Sequence, residues 1–515
     1  MSSTTAKEIF AATFGTIEGK RSSSVAALDR SRVEQVTQTV ARIALTFALA
    51  FSVTDWFSGI RSPLWLDETN SYWSISQGFG KIWAHQGLAF PIYTYVLWFT
   101  KTLFGSSEVV LRLPSVFAMI SAAYVLYCIA RRFFEWDVAG IVTVIFCVHP
   151  FVSFAAIDAR PYAFATLAVN CSILALLRWM ERNTTARATT FGIALGSVFY
   201  FHYLFSVILG ALAIVFVVFK RREWNSYQRN FAISMLPFGV MMLPVIPRVL
   251  WIAQTTQSHV YLGLPRPADL FITVVPGNVG SVFVGAVFIA VIVGKLGAPE
   301  HEHRATIPAC LVLGLVPLLS LYAVSLYTPV HIFAERYRLV ALPGVALCWG
   351  LLVSRLNSRV VRTIFCLALI AFTFNEFPGK TWKSHGFSWK DALNVADASA
   401  ATTHAPLLIC SGLRESSFRP MPTTDIAQSD LFAPLSYYKV HAPVVPLPRD
   451  FNQETKRQVT SFLATAIPNR ERFLVVGHTE SEQTTKWITS ETATSYRTRE
   501  LGTYDGMTVT EFVPR

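Results

Sequence analysis

The chain has 515 residues, of which 52% are hydrophobic and 15% charged, and its mean hydropathy is +0.42. Its apolar residues recur in runs of about 17 to 25 between short polar loops, the length that crosses a hydrocarbon core, which excludes a soluble globule and points to a polytopic α-helical membrane protein. The net charge of +12 is carried by short Lys and Arg clusters beside apolar runs, so it reads as a topology signal rather than a nucleic-acid surface.

Residues 1–39 are polar and rich in Ser and Thr, and the first apolar run, from near Ile43, lies too far along for an ordinary secretory signal. It is expected to stay as an anchor. Spans are predicted near 40–58, 110–130, 138–156, 161–180, 187–202, 204–219, 230–252, 269–294, 306–327, 338–354 and 359–375, about eleven helices in a domain over 40–375. The segment 88–104 is ambiguous, because it is apolar yet carries Pro91 and Lys101. If it lies on the surface, within interfacial helices over about 70–104, then Arg131-Arg132, Arg178 with Arg182 and Arg187, Lys220-Arg221-Arg222, Lys295 with Arg304, and Arg355 with Arg359 and Arg362 all share the side of the N-terminus. If it spans, every one of these clusters moves outside. The positive-inside rule therefore favours an interfacial helix, and Tyr93, Tyr95 and Trp98 suit that depth.

On this topology 376–515 lies outside the cytoplasm. Strand-like runs at 406–412 and 472–478, with a polar helical stretch over 452–466, predict a small α/β domain with one core. Cys410 is the single cysteine of this tail, which excludes an internal disulfide there.

Four polar clusters then share the outer face: Asp67-Glu68, Asp158-Ala-Arg-Pro-Tyr162, His202-Tyr203 and His331-Ile-Phe-Ala-Glu-Arg-Tyr-Arg338. Each also has a plain structural reading. Asp67 and Glu68 suit the first turn of a helix, Asp158 and Arg160 could pair with each other, His202 could be a satisfied polar group, and Arg336 and Arg338 could reach toward lipid headgroups. Taken together they suit removal of a sugar from a lipid phosphate, where a carboxylate deprotonates the acceptor hydroxyl and guanidinium groups hold the departing phosphate. Carboxylates at Asp67 and Asp158 also suit a hard divalent cation, Mg or Mn, so a metal role stays open. No zinc-type His and Cys spacing, Walker loop or dinucleotide motif is present.

The order Trp65-Leu-Asp-Glu-Thr-Asn-Ser-Tyr72, Leu111-Arg-Leu-Pro-Ser115, Arg131-Arg-Phe-Phe134, Asp158-Ala-Arg-Pro-Tyr162, His202-Tyr203 and Glu335-Arg-Tyr337 resembles the bacterial C-type-fold membrane glycosyltransferases of the protein O-mannosyltransferase and aminoarabinose-transferase branch. The resemblance runs from about residue 40 to 375, and the tail is similar to the extracytoplasmic domain of such proteins. It implies an inverting transferase in the bacterial inner membrane, with a cytoplasmic N-terminus, a polyprenyl-phosphate-linked sugar as donor and a glycan, lipid or protein as acceptor. Mapped onto it, Asp67 is the base or acceptor-orienting group, with Glu68 beside it, and Asp158 is the second acidic residue. Arg160, Arg336 and Arg338 become donor-phosphate ligands, and Tyr72, Tyr162, His202, Tyr203, His331 and Glu335 substrate contacts. The stretch Gln86-Gly-Leu-Ala-Phe-Pro-Ile-Tyr93 departs from the usual His-Pro-Pro pattern. The alternative reading is a transporter or flippase of a lipid-linked saccharide, which would place ionisable groups at mid-depth in several spans.

Overall fold

The computed structural model describes residues 34–54, 56–85, 91–255, 263–275, 279–294, 296–297, 306–376 and 388–515. Most of the expected N-terminal segment, part of the Gln86–Tyr93 departure and the Lys295–Arg304 cluster lie outside them.

The chain opens with α1 (Glu34–Ser58), followed by α2 (Leu66–Ser76), the single turn α3 (Ile82–His85) and α4 (Pro91–Phe104). The bundle continues through α5 (Glu108–Ala130), α6 (Trp136–Cys147), α7 (Pro150–Ala156), α8 (Tyr162–Glu181), α9 (Thr185–Phe201), α10 (Ile208–Lys220), α11 (Trp224–Met242), α12 (Ile246–Thr255), α13 (Pro267–Val274) and α14 (Val279–Ile292). It ends with α15 (Thr306–Tyr327), the short α16 (Glu335–Arg338), α17 (Leu342–Val353) and α18 (Arg359–Glu376). Every expected span falls on these helices, but not always as one rod. The 138–156 run bends by 70° between α6 and α7, where Pro150 lacks the N–H that would continue the ladder and the His149 ring nitrogen Nδ1 accepts instead from Phe151 N at 3.1 Å. The 269–294 run bends by 56° between α13 and α14. Among the described residues six helices are long and apolar enough to cross a membrane, up to eight if each bent pair is one span, against the eleven expected. Part of the difference is α10 and α11, which belong to one helical run of 40 residues from Tyr203 to Met242 but fold back on each other at 221–223, with the Phe216 and Phe231 rings 6.1 Å apart.

Small residues set close helix contacts. At Gly344 in α17 a Cβ would stand 2.2 Å from the Leu313 backbone of α15, so only glycine lets these two helices approach as they do.

The ends of the bundle differ in charge. At one end Arg132 and Arg187 pair with Glu181, Arg359 with Glu34 and Glu135, and Arg362 with Asp137 at 2.8 Å. This joins the N-termini of α1, α6, α9 and α18 to the C-termini of α5 and α8. At the opposite end lie α2, the start of α5, the turn before α8, and α16. The helix α4 belongs wholly to that second end. Lys101, near its C-terminus, bonds Ser76 of α2 at 3.0 Å, while Tyr93, near its N-terminus, meets Phe164 of α8 at 5.6 Å. Its 14 residues reach about 21 Å, short of a bilayer core.

The C-terminal unit consists of α19 (Trp389–Thr403), β1 (Leu407–Cys410), α20 (Ala433–Tyr437), β2 (Val444–Leu447), α21 (Gln453–Ala466), β3 (Phe473–His478), α22 (Glu482–Glu491), β4 (Tyr496–Tyr504) and β5 (Met507–Pro514). The sheet order is β2-β1-β3-β5-β4, with β1 parallel to β2 and β3, and β5 antiparallel to β3 and β4. One face of this sheet shares an apolar core with the bundle: Leu64, Ile75, Tyr93, Leu97, Leu111 and Ala159 join Trp389, Leu407, Ile409, Phe432 and Met507.

A cysteine placed in the 131–137 loop should label from the cytoplasmic side alone in an otherwise cysteine-free chain, and one in 411–417 from the opposite side alone. Labelling of 131–137 from outside would invert the topology.

Candidate functional site

The helix α2 begins where Trp65 is still extended (φ −85°, ψ 176°), and the Glu68 carboxylate reaches back to accept from Trp65 N at 3.2 Å. Asp67 and Glu68 in the first turn also face the positive end of the helix dipole. The helix-start reading is thus part of their role. Successive residues of a helix project about 100° apart, and here three consecutive side chains meet three different walls. Leu66 faces the C-terminal unit at Gly412, Asp67 meets Arg336, and Glu68 meets Arg112 of α5.

Glu68 is fully buried and fully engaged. Its Oε1 accepts from Arg112 Nε at 2.7 Å and Ala159 N at 2.8 Å, and its Oε2 from Arg112 Nη2 at 2.5 Å. Arg112 is also wholly buried, and its remaining donors go to the carbonyls of Gly59, Ile60, Ser62 and Pro63. The pair therefore ties the loop before α2, the start of α5 and the turn before α8 into one knot. No proton or ligand can reach Glu68 without breaking it.

Asp67 stands differently. Its Oδ2 accepts from Arg336 Nη1 at 2.9 Å, and both side chains keep some exposure, 19% and 15%. Arg160 Nη1 donates to the Asp67 carbonyl at 3.2 Å and to Ser71 Oγ at 3.3 Å, which pins the Asp67 backbone while leaving its carboxylate to Arg336. Asp158 is completely buried, with Oδ1 accepting from the Trp65 indole at 3.0 Å and no partner for Oδ2. Burial, with the Glu68 charge adding to it, pushes its carboxyl well above the usual range. Among the described residues no ion pair joins Asp158 to Arg160. From Arg336 a run of rings leads inward: the guanidinium lies 5.3 Å over Tyr337, which is 5.2 Å from His202, itself 5.4 Å from Tyr162 and 5.6 Å from Tyr203.

Asp67, Asp158, Arg160, Arg336, Tyr162, His202 and Tyr203 are thus brought together, as the motif order implied. The other candidates lie elsewhere. Tyr72 packs edge-on against Tyr437 at 4.7 Å, below the Lys101 ammonium. His331 Nδ1 donates to Ser325 O at 2.8 Å, and the Glu335 side chain is 73% exposed. Arg338 is buried between Phe151 and Phe333 and donates to the Asp269 carbonyl at 2.7 Å and Thr273 Oγ1 at 2.8 Å, so it fastens α16 to α13. A divalent cation fits poorly, since Asp67 is held by an arginine, a second arginine adjoins it and burial beside Glu68 pushes the Asp158 carboxyl toward its neutral form. Among the described residues no group of three or more His, Cys, Asp or Glu is arranged to hold a metal. Sequence reasoning passed over Arg112, Ser71 and Tyr337. Arg112 carried a signal: an arginine beside an apolar run of 23 residues demands a partner, and the nearest acidic pair was Asp67-Glu68.

A model of the dolichyl-phosphate-mannose-protein mannosyltransferase family matches residues 89–251. The fold is similar to that of ArnT from Cupriavidus metallidurans in the apo state, with a TM-score of 0.53 and 14% identity over 90% of this chain and 97% of that one. It is also similar to the same protein bound to undecaprenyl phosphate, at 0.50 and 13% over the same shares. No curated protein matches by sequence. The architecture is thus shared with these structures, and residues 89–251 are similar to that mannosyltransferase family.

Removing one partner of a buried ion pair costs about 3–5 kcal/mol, so Glu68→Ala should lower the melting temperature of the purified protein sharply. Asp158→Asn should not. A carboxyl whose pKa is raised on folding is stabilising only at low pH, and its contribution is lost as pH rises through the folded value; near neutrality the amide therefore replaces a group that folding already prefers uncharged. Thermal unfolding of the two variants at pH 7 checks this, and a large loss from Asp158→Asn would show that Asp158 is ionised and paired.

Proposed function

We propose that the protein is an inverting glycosyltransferase that moves a sugar from a polyprenyl-phosphate donor to an acceptor hydroxyl at the extracytoplasmic end of the bundle. The observation that carries this reading is one partly exposed carboxylate, Asp67, set against two arginines, with Arg336 at 2.9 Å and Arg160 on its backbone carbonyl at 3.2 Å. The basic clusters at the opposite end support the orientation, because Lys and Arg favour the cytoplasmic side. Ion pairs gathered at the two ends of the bundle, rather than along a mid-depth passage, favour chemistry over transport.

In the reaction the acceptor oxygen forms the new bond to the anomeric carbon as the bond from that carbon to the phosphate oxygen breaks. The hydroxyl proton passes to the Asp67 carboxylate, and the polyprenyl phosphate leaves with the bonding electrons. Planar guanidinium groups of Arg336 and Arg160 receive its charge in a partly dehydrated site. Attack opposite the leaving group inverts the centre and requires the sugar ring to lie between base and phosphate. The 2.9 Å contact between Asp67 and Arg336 leaves no room for it, so Arg336 exchanges carboxylate for phosphate as the donor binds. Asp158 acts through its hydrogen bond to Trp65, holding the indole beside the first turn of α2. Glu68 positions that turn without touching substrate. Tyr337 and His202, backed by the buried Tyr162, offer an aromatic wall for the sugar or the first isoprene unit.

Losing a general base lowers a rate by roughly 10²–10⁴-fold, so Asp67→Asn should abolish detectable transfer from radiolabelled polyprenyl-phosphate sugars while keeping the wild-type melting temperature. An active Asp67→Asn protein would remove the assignment.

A further inference from the structure

The acidic helix is held from the side opposite the bundle, and the contacts are specific. Gly412, directly after β1 and Ser411, approaches so closely that a Cβ there would lie 2.8 Å from Leu66 Cδ2 and 3.0 Å from the Trp389 ring. Leu66 is the residue before Asp67. The Tyr438 hydroxyl accepts from Leu64 N at 2.6 Å, on the last stretch of loop before α2. At the far end of α2 the Trp73 indole donates to the Gln428 carbonyl at 2.8 Å. Tyr437 braces Tyr72 edge-on and donates from its hydroxyl to the Ser106 carbonyl at 2.8 Å, tying the same segment to the start of α5. Lys390 of α19 pairs with Glu108 at 3.0 Å, and the core beneath is continuous between the two units.

The geometry points to a positioning role: we propose that the C-terminal unit, through Gly412 and Tyr438, sets the rotation of α2 and so aims the Asp67 carboxylate. This rests on Asp67 being the base. The bundle holds α2 at Glu68, at the Asp67 carbonyl and Ser71 through Arg160, and at Ser76 through Lys101. The Leu66 side chain instead meets the wall at Gly412, which opposes rotation toward the C-terminal unit. Because residues 66 and 67 project about 100° apart, displacing the Leu66 side chain turns Asp67 by the same angle toward or away from Arg336. The C-terminal unit is then part of the machinery that orients the base, rather than a separate binding module on a tether.

Filling the space at Gly412 tests this in the full-length protein. Gly412→Val should slow turnover about 10- to 100-fold, the scale expected from misplacing a reacting group by ~1 Å, with the KM for the polyprenyl-phosphate donor near that of the wild type. The same variant should raise amide hydrogen exchange across 64–72, as should Tyr438→Phe at the Leu64 amide. Leu66→Ala in the same chain makes room for the new side chain and should restore both turnover and protection, measured against Leu66→Ala alone. Normal turnover and exchange in Gly412→Val would overturn the proposal, and so would a defect that Leu66→Ala leaves untouched. If the valine variant does not fold, Gly412→Ala, whose Cβ still meets Leu66, is read by the same rescue. Should the wild type transfer no sugar, the reading of the reaction falls, while the exchange measurement still decides whether the clamp on α2 exists.

Discussion

The Glu68–Arg112 pair is the constraint on which the site depends. Two charges withdrawn completely from water are tolerable only when every donor and acceptor is used, and here they are: the carboxylate takes four hydrogen bonds and the guanidinium gives up each of its nitrogens. Such a pair adds little net stability over an apolar pair of the same size, but it accepts only one arrangement of the backbone around it. The loop 59–65, the first turn of α2, the start of α5 and the Asp158–Arg160 turn are all held in register by it.

With the backbone fixed, the neighbouring carboxylate can be the adjustable one. Asp67 has its carbonyl pinned by Arg160 and its side chain held by a single hydrogen bond to Arg336. That contact is partly exposed, so it is far weaker than the buried pair one residue on. The donor phosphodiester, which gains a second negative charge as it leaves, offers Arg336 two oxygens in a geometry that suits the guanidinium fork. Adjacent acidic residues in one motif thus divide the work: one builds the frame and the other, in the proposed reaction, is the base.

The sequence shows some of this directly. Hydropathy located the helices, and the strands β1 and β3 with helix α21 were visible as apolar or amphipathic runs in the tail. Strands β2, β4 and β5 were not: Tyr496–Tyr504 is largely exposed and polar with no hydrophobic alternation, whereas the alternation of Met507–Pro514 was there to be read. The bends at Pro150 and between α13 and α14 change span counts without changing hydropathy. Motif order gathered Asp67, Asp158, Arg160, Arg336 and His202, yet it set Glu68 beside Asp67 with no separate role and treated Arg336 and Arg338 as equivalents. What separates the members of each pair is helical rotation, about 100° between Asp67 and Glu68 and about 200° between Arg336 and Arg338, which sends Glu68 to Arg112 and Arg338 to α13. Sequence spacing carries that angle only once the facing helices are known. The grip of the C-terminal unit on α2 had no sequence signal at all, since Gly412 and Tyr438 lie more than three hundred residues from Asp67.

The exchange of Arg336 between Asp67 and the donor phosphate can be measured without turnover, by titrating undecaprenyl phosphate into the purified protein. If Arg336 must leave Asp67 to bind phosphate, Asp67→Asn binds the lipid more tightly than the wild type, and the gain disappears in an Arg336→Met background. An affinity that Asp67→Asn leaves unchanged, or a gain of equal size with and without Arg336, would contradict the account.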